Sequence, residues 1–252
     1  MTIKILLLFI FPFLAGLIPL FIKKQNTKFI NILLVVGGSY HLCVCLYHLI
    51  PEAYSYNNSN SNSNSNIHTI GLFILLGFLM QLMLEQLSHG MEHGHGYKNF
   101  SSKLYKYNAS LLISLYIHSF TESIPLAYSS HNIEIVLGIA IHHIPIGILL
   151  TNYSVKQGCS RFLSILAVVI FSVASPLGYL LGFFIINSSL SHISPFVTAF
   201  ASGIMLYIAT TVLFESSSSE HIFNKASLLS IILGILLFFI INLSSPAHHH
   251  VH

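Results

Sequence analysis

The chain has 252 residues, 54% of them hydrophobic and only 7% charged. A soluble domain averages about 25% charged residues, so this composition cannot cover a globule with solvated surface. A net charge of +3, scattered along the chain, excludes a nucleic-acid-binding role and leaves an integral membrane protein.

In chain order, apolar runs fall at 3–22, 29–51, 67–88, 107–128, 132–153, 162–187, 195–214 and 226–243. Each is near the length of about 20 residues that crosses a bilayer as a helix, the one open-chain solution in lipid. The expected fold is all-α: eight transmembrane helices forming a single domain over residues 1–252, with no room for a soluble domain. Pro12 and Pro19 interrupt the first run, which is read as a genuine span and not a signal peptide.

The loops divide by charge. Those after spans 1, 3, 5 and 7 carry Lys23, Lys24, Lys28, Lys98, Lys103, Lys106, Lys156, Arg161 and Lys225, leaving only Lys4 on the other face. The positive-inside rule then makes the odd-numbered loops cytosolic and puts both termini outside or in a lumen. An extracytosolic loop at 54–66 contains the tract NNSNSNSNSN, expected to be disordered. A cytosolic loop at 89–106 opens with HGMEHGHGY, where His89, Glu92, His93 and His95 can capture a metal or simply be solvated.

Sixteen histidines stand against seven glutamates and no aspartate. Neutral imidazole is the commonest protein metal ligand and titrates near physiological pH, so the balance points to metals or protons. Inside a membrane, ionisable groups are costly and mark functional sites. Span 4 carries His118-Ser119-Phe120-Thr121-Glu122, with His118 and Glu122 four apart on one helix face. Span 5 carries His142-His143-Ile144-Pro145, whose adjacent imidazoles point about 100° apart and can line one cavity from two angles. Nitrogen and oxygen donors of this kind suit Zn²⁺, with Fe²⁺, Mn²⁺ and Cd²⁺ as competitors. The bland reading is hydrogen-bonded packing between two helices, and the number of groups weighs against it. His48 and Glu52, four apart at the outer end of span 2, read either as an access station for metal or as a solvated helix end.

These segments resemble the signature helices of the ZIP (Zrt/Irt-like) zinc and iron transporters. The likeness extends to HLIPEA (48–53), MLEQL (83–87), SPLGYLLG (175–182) and FASGIMLYIATTVLFES (200–216), and so covers nearly the whole chain. The resemblance implies transport of divalent metal towards the cytosol, from outside the cell or from an organelle lumen. It also implies a principal metal site of His118, Glu122 and His142, with Ser119 and His143 at positions that contribute to an adjacent one. It further implies a homodimer, and Zn²⁺ as cargo with no prosthetic group. One departure matters: where many members carry a span 5 carboxylate, this chain has Ile146, so one principal metal is expected in place of a binuclear pair.

Rivals from other classes fare worse. An intramembrane zinc-dependent hydrolase of lipid amides, or a diffusion-facilitator cation exporter, would use aspartate, and there is none. A metal sensor that binds without transporting stays open because of Ile146. The expectation is a carrier and not an enzyme.

Overall fold

A computed structural model describes residues 2–22, 27–55, 64–88, 104–129, 132–215 and 224–244. Among them are eight long helices: α1 Thr2–Phe21, α2 Thr27–Ser55, α3 Asn64–Ser88, α4 Leu104–Glu122, α5 Asn132–Lys156, α6 Arg161–Ile186, α7 Ser194–Glu215 and α8 Lys225–Ser244. The connection expected at 54–66 is narrower than that, because α2 runs to Ser55 and α3 begins at Asn64. The histidine-bearing segment 89–95 and the tail His248 to His252 lie outside the described residues.

Seven of these helices are long and apolar enough to cross a membrane. The exception is α4, whose sequence LYKYNASLLISLYIHSFTE gives up apolar positions to Lys106, Asn108 and the site residues themselves. At 1.5 Å per residue its 19 residues still extend about 28 Å, close to the hydrocarbon thickness. Beyond Glu122 the chain tightens into a 3₁₀ turn, Ile124–Ala127, around Pro125. Proline inside α5 (Pro145) and α6 (Pro176) does not end either helix.

The helices pack as one bundle in which two groups of contacts can be followed, with α2 packed extensively on both α5 and α7. α1, α4, α5 and α6 form one, in which α6 lies against α1, α4 and α5. α2, α3, α7 and α8 form the other, built on α3 against α7 and on α2 against α7 and α8. The groups meet along a seam where α2 packs on α5 and α3 on α4. Without water in the bilayer, close backbone approach drives such packing, and small residues permit it. Gly77 on α3 lies against the backbone of Phe200, and Gly203 on α7 against that of Ile74, so these two helices touch main chain to main chain. Gly178 and Gly182 of α6 admit the carbonyls of Phe120 and Ile124 in the same way, fixing α6 onto the end of α4.

The turn from α5 to α6 is set locally. Gly158 adopts φ 76, and the Gly158 and Cys159 amides donate to the carbonyls of Val155 and Ser154. That is a Schellman stop, for which glycine is favoured at the left-handed position. Ser160 then caps α6, accepting from the Leu163 amide. Four residues, 157–160, therefore suffice to reverse the chain and hold α5 beside α6.

Candidate metal centre

Mid-bundle, α4 and α5 present their polar groups to one another with α6 behind them. His118 and Glu122 lie on one face of α4 as their spacing requires, with Nε2 and Oε2 3.5 Å apart. From α5, His143 Nε2 approaches the other carboxylate oxygen, Oε1, at 2.5 Å. One donor atom from each of these three residues falls within 4.8 Å of the others, a spacing that fits a single metal ion. All three are sealed inside the protein, at most 1% exposed.

The adjacent histidines of α5 diverge as a 100° step demands. His143 turns to α6, its ring 5.0 Å from that of Phe171, while His142 turns to α2, its ring 4.8 Å from that of His41. The compact triad therefore takes its α5 member from His143, and His142 sits beside it with ring centroids 6.0 Å apart. Ser119 lies one step round α4 from His118, and its hydroxyl pairs with Ser175 of α6 at 2.8 Å. Ser175 in turn stands 3.5 Å from His143 Nδ1. With the Nδ1 proton directed at Ser175, Nε2 of His143 keeps its lone pair for a metal. Such an outer partner typically fixes the tautomer of a ligating imidazole.

Both carboxylate oxygens of Glu122 and both ring nitrogens of His118, His142 and His41 are buried without a hydrogen-bond partner. The close pairs meet at ion-pair distance. Buried polar atoms are satisfied in the great majority of cases, so a knot of orphaned nitrogens and oxygens needs a partner of another kind. A divalent cation supplies one: imidazole nitrogen and carboxylate oxygen are its ordinary ligands, and one negative charge offsets part of the metal's two.

His41 is the residue that sequence reasoning missed. It sits in the middle of α2, fully buried, with Nε2 3.6 Å from Glu122 Oε2. The signal was available, since any ionisable group well inside an apolar span is a functional candidate. Gly37, one turn earlier on the same face, is what lets it reach. A Cβ there would stand 3.1 Å from the Cα of His142, so the bare backbone brings α2 onto α5.

The outer pair on α2 behaves differently. His48 packs against the rings of Phe238 and Tyr47, while Glu52 accepts a 2.6 Å hydrogen bond from Ser129. A π-helical turn at Cys45–Leu49 lies between the middle of α2 and this end and alters its register. Glu85 of α3 accepts from the Tyr207 hydroxyl of α7, and so ties the second group together. His89, Glu92, His93 and His95 lie outside the described residues. Ile146 lies in an apolar cluster with Leu111, Leu115, Leu150 and Phe171, where a carboxylate is neither present nor easily accommodated.

No individual curated protein matches the chain at significance. The family model described as ZIP Zinc transporter matches residues 1–110 and 101–242, nearly the whole length. That match removes the lipid-amide hydrolase and the diffusion-facilitator exporter as rivals. Taken with the apolar helices and the buried His/Glu cluster, it identifies the chain as a member of the ZIP zinc transporter family, a multi-pass membrane protein that transports divalent metal ions and is not an enzyme.

Proposed function

We propose that this chain carries Zn²⁺ towards the cytosol, binding it at His118 and Glu122 of α4 and His143 of α5, with His142 and Ser119 alongside. One observation carries the reading: three donor atoms within 4.8 Å, buried in the bundle and lacking hydrogen-bond partners. Zn²⁺ suits two imidazoles and a carboxylate, and Fe²⁺, Mn²⁺ and Cd²⁺ compete for the same donors. The inward direction is what the family likeness implies, and the lysine asymmetry of the loops supplies the orientation.

A carrier must bind and then release. Three protein donors leave a coordination position for water, unlike the closed four-ligand shell of structural zinc. Glu122 supplies the charge that draws the cation out of water. The contact between Glu122 and His143 is shorter than two ligands of one metal can stand, so the ion has to part them as it binds.

The test is uptake of radioactive Zn²⁺ into proteoliposomes by the native chain, His118→Ala and Glu122→Ala, at matched protein in the membrane. Saturable uptake in the native chain, lost in both variants, is the expected result. Competition by unlabelled Fe²⁺, Mn²⁺ and Cd²⁺ then ranks the metals. Uptake that survives both substitutions refutes the site. No flux from correctly inserted native protein refutes the carrier and leaves a metal sensor.

A further inference from the structure

We infer that His143 sets which cations the site accepts, favouring Zn²⁺, Cd²⁺ and Co²⁺ and disfavouring Mn²⁺, Mg²⁺ and Ca²⁺. The inference deepens the site proposed above and rests on it. The compact triad offers two imidazole nitrogens and one carboxylate. A third imidazole, His142, has its ring centroid 6.0 Å from those of both His118 and His143. One turn beyond His142, Ile146 is packed with Leu115, Leu150 and Phe171 and adds no oxygen. The donor set is therefore rich in nitrogen. Imidazole suits borderline ions such as Zn²⁺, whereas Mg²⁺, Ca²⁺ and Mn²⁺ are better served by carboxylate, carbonyl and water.

His143 is the member of the triad whose surroundings close off the oxygen-rich alternative. Its ring lies 5.0 Å from that of Phe171, which belongs to the same apolar cluster as Ile146. Hard cations gather six or more oxygens, Mg²⁺ usually keeping several waters, and an apolar wall supplies none of them. With Ser175 3.5 Å from Nδ1, the Nε2 atom is left as the donor facing Glu122 Oε1. Glu122 is the one acid of the triad. Its single charge attracts hard and borderline dications alike, so discrimination between them falls to the nitrogens. Of the two, His118 is fixed with Glu122 on one helix, 3.5 Å from it, whereas His143 arrives from α5. Position 143 is thus where the donor type can be exchanged while the α4 pair stays in place.

The test is competition for Zn²⁺ binding by Mn²⁺, Co²⁺ and Cd²⁺ on the full-length chain purified in detergent. In the native chain Mn²⁺ is expected to bind roughly 100-fold more weakly than Co²⁺, and His143→Asp to narrow that gap roughly 10-fold, because a carboxylate has replaced one of two imidazoles. His143→Cys, a softer donor, is expected to widen the preference for Cd²⁺ over Mn²⁺. Ser175→Ala, which weakens binding but keeps both nitrogens, is expected to leave every ratio unchanged. Mn²⁺ binding as tightly as Co²⁺ in the native chain overturns the inference without any variant. So does a Co²⁺-to-Mn²⁺ gap that stays the same in a His143→Asp protein still able to bind Zn²⁺, or one that Ser175→Ala narrows equally. In each of those cases the α4–α5 site stands if His118→Ala and Glu122→Ala abolish Zn²⁺ binding. If those two variants keep native Zn²⁺ affinity, the site itself is wrong and the inference falls with it.

Discussion

Substituting Gly37 by alanine separates the reach of His41 from every other property of α2. The new Cβ would stand 3.1 Å from His142 Cα and 3.4 Å from its amide nitrogen, both of them backbone atoms that cannot rotate away. Carbon atoms settle at about 3.5–4.0 Å, so α2 has to retreat from α5 by about 0.4 Å or more. His41 lies one turn along the same face and moves with it. His41 Nε2 stands 3.6 Å from Glu122 Oε2 across this contact, so the retreat draws its imidazole away from the carboxylate. Zn²⁺ affinity is expected to fall about 10-fold, approaching the effect of removing the ring. Gly38→Ala is the control for strain on α2 in another direction, because its Cβ would stand 2.9 Å from Val212 Cγ1 and so presses α2 away from α7 and not from α5. Both changes raise helix propensity by about 1 kcal/mol, so that contribution cancels between them. Competition titration of the two purified variants is the assay. Equal affinities for Gly37→Ala, Gly38→Ala and the native chain would refute the argument that close approach at position 37 positions the donor.

Ser175→Ala removes the group that stands between Ser119 and His143, and is expected to weaken Zn²⁺ binding by about 10–100-fold with the helices intact; an unchanged titration would mean that packing on Phe171 alone orients the ring. Ile146→Glu places a charge among Leu111, Leu115, Leu150 and Phe171 and is expected to destabilise the metal-free protein by about 3–5 kcal/mol in thermal unfolding. Added Zn²⁺ should raise its melting temperature more than it raises that of the native chain, and an equal rise in both would show that position 146 is out of reach of the metal. Gly77→Leu drives α3 off the backbone of Phe200, costing about 1–3 kcal/mol or more, while the folded fraction binds Zn²⁺ with native affinity; a matching loss of affinity would show that the α3–α7 contact shapes the site.

The eight helices were legible because each apolar run is long, and the observed ends fall within a few residues of the runs for every helix but α4, which stops at Glu122. Its apolar run continued to residue 128, yet the chain there tightens into the turn around Pro125, a change that hydrophobicity does not register. His118 with Glu122 was legible from the four-residue period, and the divergence of His142 and His143 from the 100° step. The resemblance implied His142 for the principal site, whereas the compact triad holds His143, an arrangement that depends on α6 standing behind α4 and on α2 lying against α5. His41 was legible as an ionisable group inside an apolar span, but its approach to Glu122 was not, because a single histidine among Gly, Tyr and Leu says nothing of what faces it. Ser175 is still less visible, because serine is common in membrane helices and gains meaning only from the two residues it stands between. At the outer end of α2, the π-helical turn adds a residue to one turn, so the four-residue pairing of His48 with Glu52 does not describe where the two side chains go.

The modest hydropathy of α4 has a consequence for how the protein is made. Its polar positions include those that hold the site, with Lys106 and Asn108, and the other seven helices are long and apolar enough to cross a membrane. α4 reaches the bilayer early in synthesis, before α6 and its Gly178 and Gly182 have left the ribosome to receive it. The helix that carries the site is thus the one least able to rely on its own apolarity, and substitutions on the α6 face that receives it are expected to lower the amount of inserted protein.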